Sequence, residues 1–270
     1  MKYEIPRGHL SASAIGTLLR CPRQYEFRYV KGVIIPPGKT LATGSIFHKT
    51  FEMYYEDAMA SRERLTPPQT SELSMSVMDE WLQANDHTVT REERRDIESL
   101  LRNLIPSYIE LIGKKIVPLA VEKRYTYTAR CGVEILMFLD LLHKLENGEI
   151  GIGDYKVTSK KWGLGNLANS LQFNIYAIGT GFLDIQIHNL IKSKGKKLPS
   201  LHPSDGITDY ATNLRVIRHT FNQLSVDHFE GLIKDIAKQI SLGVFPPCAP
   251  DSWACTPEWC GYWQLCRGRR

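Results

Sequence analysis

The sequence predicts an α/β fold: a mixed central sheet flanked by helices, with a helical insertion before the sheet and a cysteine-rich tail after it. Three observations carry this expectation. Helical periodicity dominates up to about residue 113, short β-branched and aromatic runs separated by turn signals follow to about residue 157, and helical patterning then returns. The 270 residues can bury one substantial core, so a single domain over 1–270 is expected, with the insertion at about 60–115 and the tail at about 245–270.

The elements follow in chain order. Ser11 is placed as the N-cap of a first helix through SASAIGTLLR, and CPRQYEFRYVKG continues it to Gly32. ATGSIFHKTFEMYYEDAMASRE reads as a second helix with Phe47, Phe51 and Tyr55 among its apolar positions. Helical stretches around 70–84 and 91–113 form the insertion. Strands are expected at VEKRYTYTAR, GVEILMFLDLLHKL and IGIGDYKV. A long helix is expected from about 167 to 192, then a basic loop KSKGKKLPSLHPSDG, a strand at LRVIRHTF and a helix through VDHFEGLIKDIAKQI.

Composition narrows the function classes. No apolar run approaches the roughly 20 residues that span a bilayer, and MKYEIPRGHL lacks the apolar centre of a signal peptide, so a cytoplasmic protein without a membrane partner is expected. A net charge of +5 and a pI near 8.8 lean towards a polyanionic partner. Four of the six cysteines fall in the last 23 residues, which in a reducing compartment points to a metal or iron–sulfur site rather than disulfides.

The stretch GIGDYKVTSK is chemically unusual. Side chains alternate along a strand, so Ile152, Asp154 and Lys156 share one face. Taken alone, D-x-K is most often an edge aspartate beside a solvated lysine. The preceding strand, however, carries Asp140, and LENGEI between them is a hairpin signal. A two-residue Asn147-Gly148 turn would leave the aspartates on opposite faces. A three-residue loop, Glu146-Asn147-Gly148 with Gly148 left-handed, would set Asp140 opposite Asp154. Carboxylates facing each other across paired strands repel unless a cation bridges them or one takes a proton. Lys156 could then polarise an attacking water or stabilise charge developing on a phosphate. His48 lies on the second helix, and Gln172 and Tyr176 are four apart and share a helix face.

These motifs together resemble the RecB-like, iron–sulfur-containing branch of the PD-(D/E)XK nucleases, which includes AddB-type and CRISPR-adaptation exonucleases. CPRQYEF is similar to the family's CPxxY/F helix, Gly44 to His48 to its G-x-x-x-H motif, LDLL at 139–142 to its IDxI-type strand, residues 154–156 to D-Y-K, and Gln172 with Tyr176 to Q-x-x-x-Y. The resemblance implies a restriction-endonuclease-like sheet. It implies His48, Asp140, Asp154 and the Tyr155 carbonyl as ligands of Mg²⁺ or Mn²⁺, Lys156 as the catalytic lysine, and Gln172 and Tyr176 as positioning groups. The family's glycine three residues before the strand aspartate is Met137 here, and Glu122 is read as a supporting group behind the ligands.

The same branch staples its ends with an iron–sulfur cluster, one cysteine before the nuclease motifs and three after. Cys21, Cys255, Cys260 and Cys266 are the implied ligands of a [4Fe–4S] cluster, with structural zinc as the alternative because the x4 and x5 spacing departs from the common x2 and x5. Cys248 is a spare that could replace Cys255, and Cys131 reads as a small buried hydrophobe. Trp253, Trp259, Tyr262 and Trp263 are read mainly as packing around that site, with stacking on unpaired bases as the alternative. Lysines 192, 194, 196 and 197 form a basic loop, more often solvated than functional.

The expected function is a metal-dependent DNA exonuclease acting on single-stranded DNA or free ends, with a non-catalytic nucleic-acid-binding subunit as the alternative. No GxxxxGK[ST] motif occurs, so a helicase, recombination or adaptation protein is the expected partner for any unwinding.

Overall fold

Ser11 starts the first helix as expected: its hydroxyl accepts from the Ala14 amide at 3.2 Å, and α1 runs Ala12–Arg20. The computed structural model describes residues 3–61, 63–85, 89–192, 206–211, 213–222 and 225–268. Lysines 194, 196 and 197 lie outside the described residues. The first helix does not continue through CPRQYEF. Pro22 lacks an amide hydrogen and forces Cys21 into an extended conformation, so a separate short α2 (Pro22–Tyr25) begins there and runs into a π-helical turn over Glu26–Val30.

Helices α3 (Lys39–Ala60), α4 (Pro67–Ala84) and α5 (Arg91–Leu111) follow. Capping explains where the last two start. Thr66 and Thr90 each pair with a side chain three residues on, Gln69 and Glu93, in reciprocal capping boxes. Phe51, Tyr55, Leu101 and Tyr108 are buried where α3 and α5 meet the sheet.

Among the described residues the sheet has seven strands: β1 (His9–Leu10), β2 (Val117–Thr128), β3 (Glu134–Lys144), β4 (Ile150–Thr158), β5 (Asp184–Ile191), β6 (Ile207–Ala211) and β7 (Leu214–Thr220). Their order is β1-β3-β4-β5-β7-β6, with β2 on the other edge of β3. Pairings β1–β3 and β4–β5 are parallel and the rest antiparallel. The remaining helices are α6 (Leu164–Ala168), α7 (Leu171–Thr180), α8 (Val226–Ser241) and α9 (Trp263–Arg267). One apolar layer joins α1, α7 and α8 to one sheet face, and a second joins α3–α5 to the other. The result is the mixed α/β sandwich expected of a restriction-endonuclease-like fold.

The long helix expected over 167–192 is not formed. Gly181, at φ 75°, ends α7, and the chain turns back as β5, an interior strand parallel to β4. Within DIQIHNLI, Ile185 and Ile187 enter one apolar layer and Leu190 the other. A short run buried on both faces has too little alternation to separate strand from helix. Strand β6, in a stretch to which the sequence reading assigns no element, pairs with β7.

The hairpin between β3 and β4 settles the register. Leu141 pairs with Gly153 and Lys144 with Ile150. The Leu145 amide donates to Glu149 O at 2.8 Å, and Gly148 sits at φ 87°. The loop is therefore Glu146-Asn147-Gly148, and one step further along the register sets Asp140 opposite Asp154.

Candidate active site

Strands β3 and β4 part company just beyond Leu141 and Gly153, and β4 carries on beside β5 alone. A fork of this kind strands backbone groups that must find other partners. The Tyr155 amide donates to Asp140 Oδ2 at 3.0 Å, and the Tyr155 carbonyl meets His48 Nε2 at 3.0 Å. The Phe138 carbonyl accepts from the Tyr176 hydroxyl at 2.8 Å. Lys156 O accepts from Asn189 Nδ2 at 3.0 Å. The side chains that close these gaps are largely those singled out by motif.

From α3, the His48 ring spans the fork, with Nδ1 3.2 Å from Asp140 Oδ2. From α7, Gln172 Nε2 donates to Asp154 Oδ1 at 3.0 Å and to the Tyr176 hydroxyl at 2.9 Å. Lys156 Nζ stands 2.5 Å from Asp154 Oδ2 and donates to Gln172 Oε1 at 3.4 Å. Asp154 Oδ2 is buried against the Lys156 ammonium in a close ion pair, while Oδ1 takes the bond from Gln172.

Glu122 belongs to this group more closely than its sequence suggested. The β2–β3 register pairs Val121 with Leu141 and Lys123 with Leu139, which sets Glu122 opposite Asp140. Single ligand atoms of His48, Glu122 and Asp140 lie within 4.8 Å of one another, the one such trio of His, Cys, Asp and Glu among the described residues. Asp154 stands outside that trio. Glu122 also holds a left-handed φ of 43°, a conformation costing a non-glycine residue on the order of 1 kcal/mol or more. Its sequence signal was its place in the row of Asp140, which needs the strand register to be read.

The charges at the fork pull against one another. Burial raises the Asp154 carboxyl to about 6, with Lys156 opposing and Asp140 adding. Burial also pushes Glu122 up to about 7, helped by the charge of Asp140. Burial would raise Asp140 too, but the charge and hydrogen bond of His48, with Lys156 and the Tyr155 amide, hold it below the usual carboxylate range. Burial disfavours the His48 imidazolium, yet Asp140, then Asp154, raise it to about 9. Glu122 and Asp140 beside one imidazole, with Asp154 across the fork, form a donor set suited to a divalent cation.

Met137 fills the place of the expected glycine without disturbing the fork. It is buried, and its thioether lies against Gly179 on α7, where an added Cβ would come within 2.5 Å of Met137 Cε.

At the other end of the domain, Cys21, Cys248, Cys255, Cys260 and Cys266 line one cavity. Cys21 is thus beside the tail cysteines across more than two hundred residues. The Cys248 amide donates to Cys21 Sγ at 3.4 Å. Burial raises the Cys248 thiol to about 11, with Cys21 and Cys255 adding, and burial raises Cys260 as well. The tail is further tied by the Arg23 amide on Pro246 O and by the Tyr262 hydroxyl on Val33 O at 3.0 Å. Cys131 lies apart, half-buried against the core.

With this geometry in view, comparison with known proteins is direct. The sequence profile of the PD-(D/E)XK nuclease superfamily matches residues 9–267. The chain belongs to that superfamily, whose members are metal-dependent nucleases with DNA as substrate. A solved structure described as "Crystal structure of SSO0001" is similar over 100% of this chain and 89% of that chain, at 13% identity and a TM-score of 0.42. No curated protein matches the sequence. Among the described residues, no helix is long and apolar enough to cross a membrane.

Proposed function

We propose that this chain is a metal-dependent deoxyribonuclease working from DNA ends, with its chemistry at the β3–β4 fork. The observation that carries the reading is the fork itself. His48, Asp140, Asp154 and the Tyr155 carbonyl converge there, with Lys156 held on Asp154. Those four groups would hold Mg²⁺ or Mn²⁺, and Glu122 is close enough to His48 and Asp140 to join them. An imidazole ligand favours Mn²⁺ over Mg²⁺. Once bound, the ion supplies Lewis-acid charge and lowers the pKa of water.

Each side chain then has a defined task. Asp154 and Asp140 hold negative charge at the ion. Lys156 places an ammonium where charge builds on the phosphate or on the attacking oxygen. Gln172 fixes both Asp154 and Lys156, and Tyr176 fixes Gln172 from below while capping Phe138 O.

At the tail, five unoxidised cysteines around one cavity support a [4Fe–4S] cluster on Cys21, Cys255, Cys260 and Cys266, with Cys248 as a fifth thiol within reach. Structural zinc on four of the same thiols is the alternative. A cluster would make anaerobically purified protein brown, with about four irons per chain; a colourless protein with one zinc would reject it.

End-labelled single- and double-stranded DNA incubated with and without Mn²⁺ tests the main reading. Stepwise shortening that requires the metal is expected. A protein inert with both substrates and both metals would overturn it.

A further inference from the structure

The tail reaches beyond its own cysteines. A cleft of about 1090 Å³ has His48, Glu122 and Asp140 in its lining, and it also includes Leu41 and Trp259. Trp259 lies between Cys255 and Cys260 and is 71% exposed; Leu41 is 59% exposed. The Trp259 ring meets the edge of a second exposed indole, Trp253, at 6.0 Å and 84°. An exposed indole opening onto a catalytic cleft invites a ligand.

Trp259 is also well fixed. Its amide and that of Cys260 both donate to Thr256 O, at 3.2 and 2.8 Å. Two residues on, Gly261 presses so closely on Ile35 that an added Cβ would come within 2.9 Å. These contacts set the backbone from which the exposed indole projects.

The chemistry of the wall narrows the ligand. Besides Asp140 and Glu122, the cleft is lined by Glu93 and Glu258, and its one lysine, Lys39, is paired with Asp96. A bound cation would offset Glu122 and Asp140 at the fork, but Glu93 and Glu258 give this wall nothing with which to hold the rest of a phosphate backbone. What it offers a polynucleotide is an aromatic face, which suits a base. Bases inside a duplex are already stacked and have no free face.

We infer that Trp259 is a base-stacking residue, receiving an unpaired nucleobase of the strand that lies in the cleft. The cysteine-held tail thereby directs the enzyme to single-stranded or frayed DNA. The inference rests on the fork being the nuclease site, and its test is separable from that reading.

Binding of a fluorescent oligo(dT) is measured by anisotropy in Mn²⁺, using Lys156→Ala as a cleavage-dead parent. Adding Trp259→Ala should weaken binding about ten-fold or more, as loss of a base–aromatic stack does elsewhere. Trp259→Phe should restore most of it, and blunt duplex binding should be unchanged. Oligonucleotides with one abasic site, moved nucleotide by nucleotide, should show one position that weakens the parent and costs nothing further once Trp259 is alanine. Equal oligo(dT) affinity for parent and Trp259→Ala, with melting temperatures alike, overturns the inference, as does abasic sensitivity that survives the substitution. Wild-type cleavage is scored separately: its absence removes the nuclease reading, while the binding cycle still reports on Trp259.

Discussion

The strand fork and the cysteine tail both gather residues from distant parts of the chain, but by opposite means. At the fork, regular strands set the positions, and stranded backbone groups are taken up by His48, Asp140 and Tyr176. The tail from 246 to 268 is turns and one five-residue helix, anchored by few long-range hydrogen bonds and by thiols converging on a cavity. The fork thus stands on the protein's own hydrogen bonds, whereas the tail depends on whatever its thiols hold. On the proposed reading, a metal at the fork would serve chemistry and a metal at the tail would serve structure.

The sharpest break in that comparison is Asp154→Asn. It removes the charge from a fully buried carboxylate while keeping its shape, so turnover should fall about a thousand-fold, with the melting temperature moving only a few degrees. A matched loss of stability would show that the fork is not preformed. Serine at Cys21 or Cys260 should do the reverse. Melting should drop by several degrees and protease should nick the chain between 245 and 268, with activity falling as a consequence. EDTA should stop cleavage without moving the melting temperature, separating the two metals in one preparation.

A third region adds an acid sensitivity of its own. Burial lowers His188 to about 3 and His143 to about 4, with Arg218 adding to both. Folded values below the ordinary 6.5 mean that the unfolded chain takes up the protons first. This stability is complete above about pH 6.5 and is lost as pH falls towards 4 and 3, at about 1.4 kcal/mol per unit and histidine. Urea midpoints should fall between pH 7 and pH 4, less steeply in His188→Gln. Smaller still, Tyr176→Phe uncaps Phe138 O and frees Gln172, which should cost about 1–3 kcal/mol in urea unfolding and slow turnover modestly.

The sequence made the fork legible because its signals are local. LENGEI marked the hairpin but left a two- and a three-residue loop open; the structure takes the three-residue loop with Gly148 left-handed, and its register, carried one step on, sets Asp140 opposite Asp154. The role of Glu122 needed the β2 register, and β2 carries a bulge between Pro118 and Ala120 that no local signal announces. Strand β5 was hidden for another reason: an interior strand flanked by sheet on both sides and apolar layers above and below loses the alternation that marks an exposed one. Trp259 looked like packing because nothing in CTPEWC reports that the ring opens onto a cleft made by α3 and the fork.

The most direct test of the central claim is the rate at which Lys156→Ala shortens end-labelled single-stranded DNA in Mn²⁺, beside wild type and with melting curves for both. Lys156 touches Asp154 and Gln172 and nothing in the tail's cavity. The fork account predicts metal-dependent cleavage by wild type and a rate about a thousand-fold lower in the variant, with Mn²⁺ affinity and melting close to wild type. Near wild-type turnover by Lys156→Ala would contradict it.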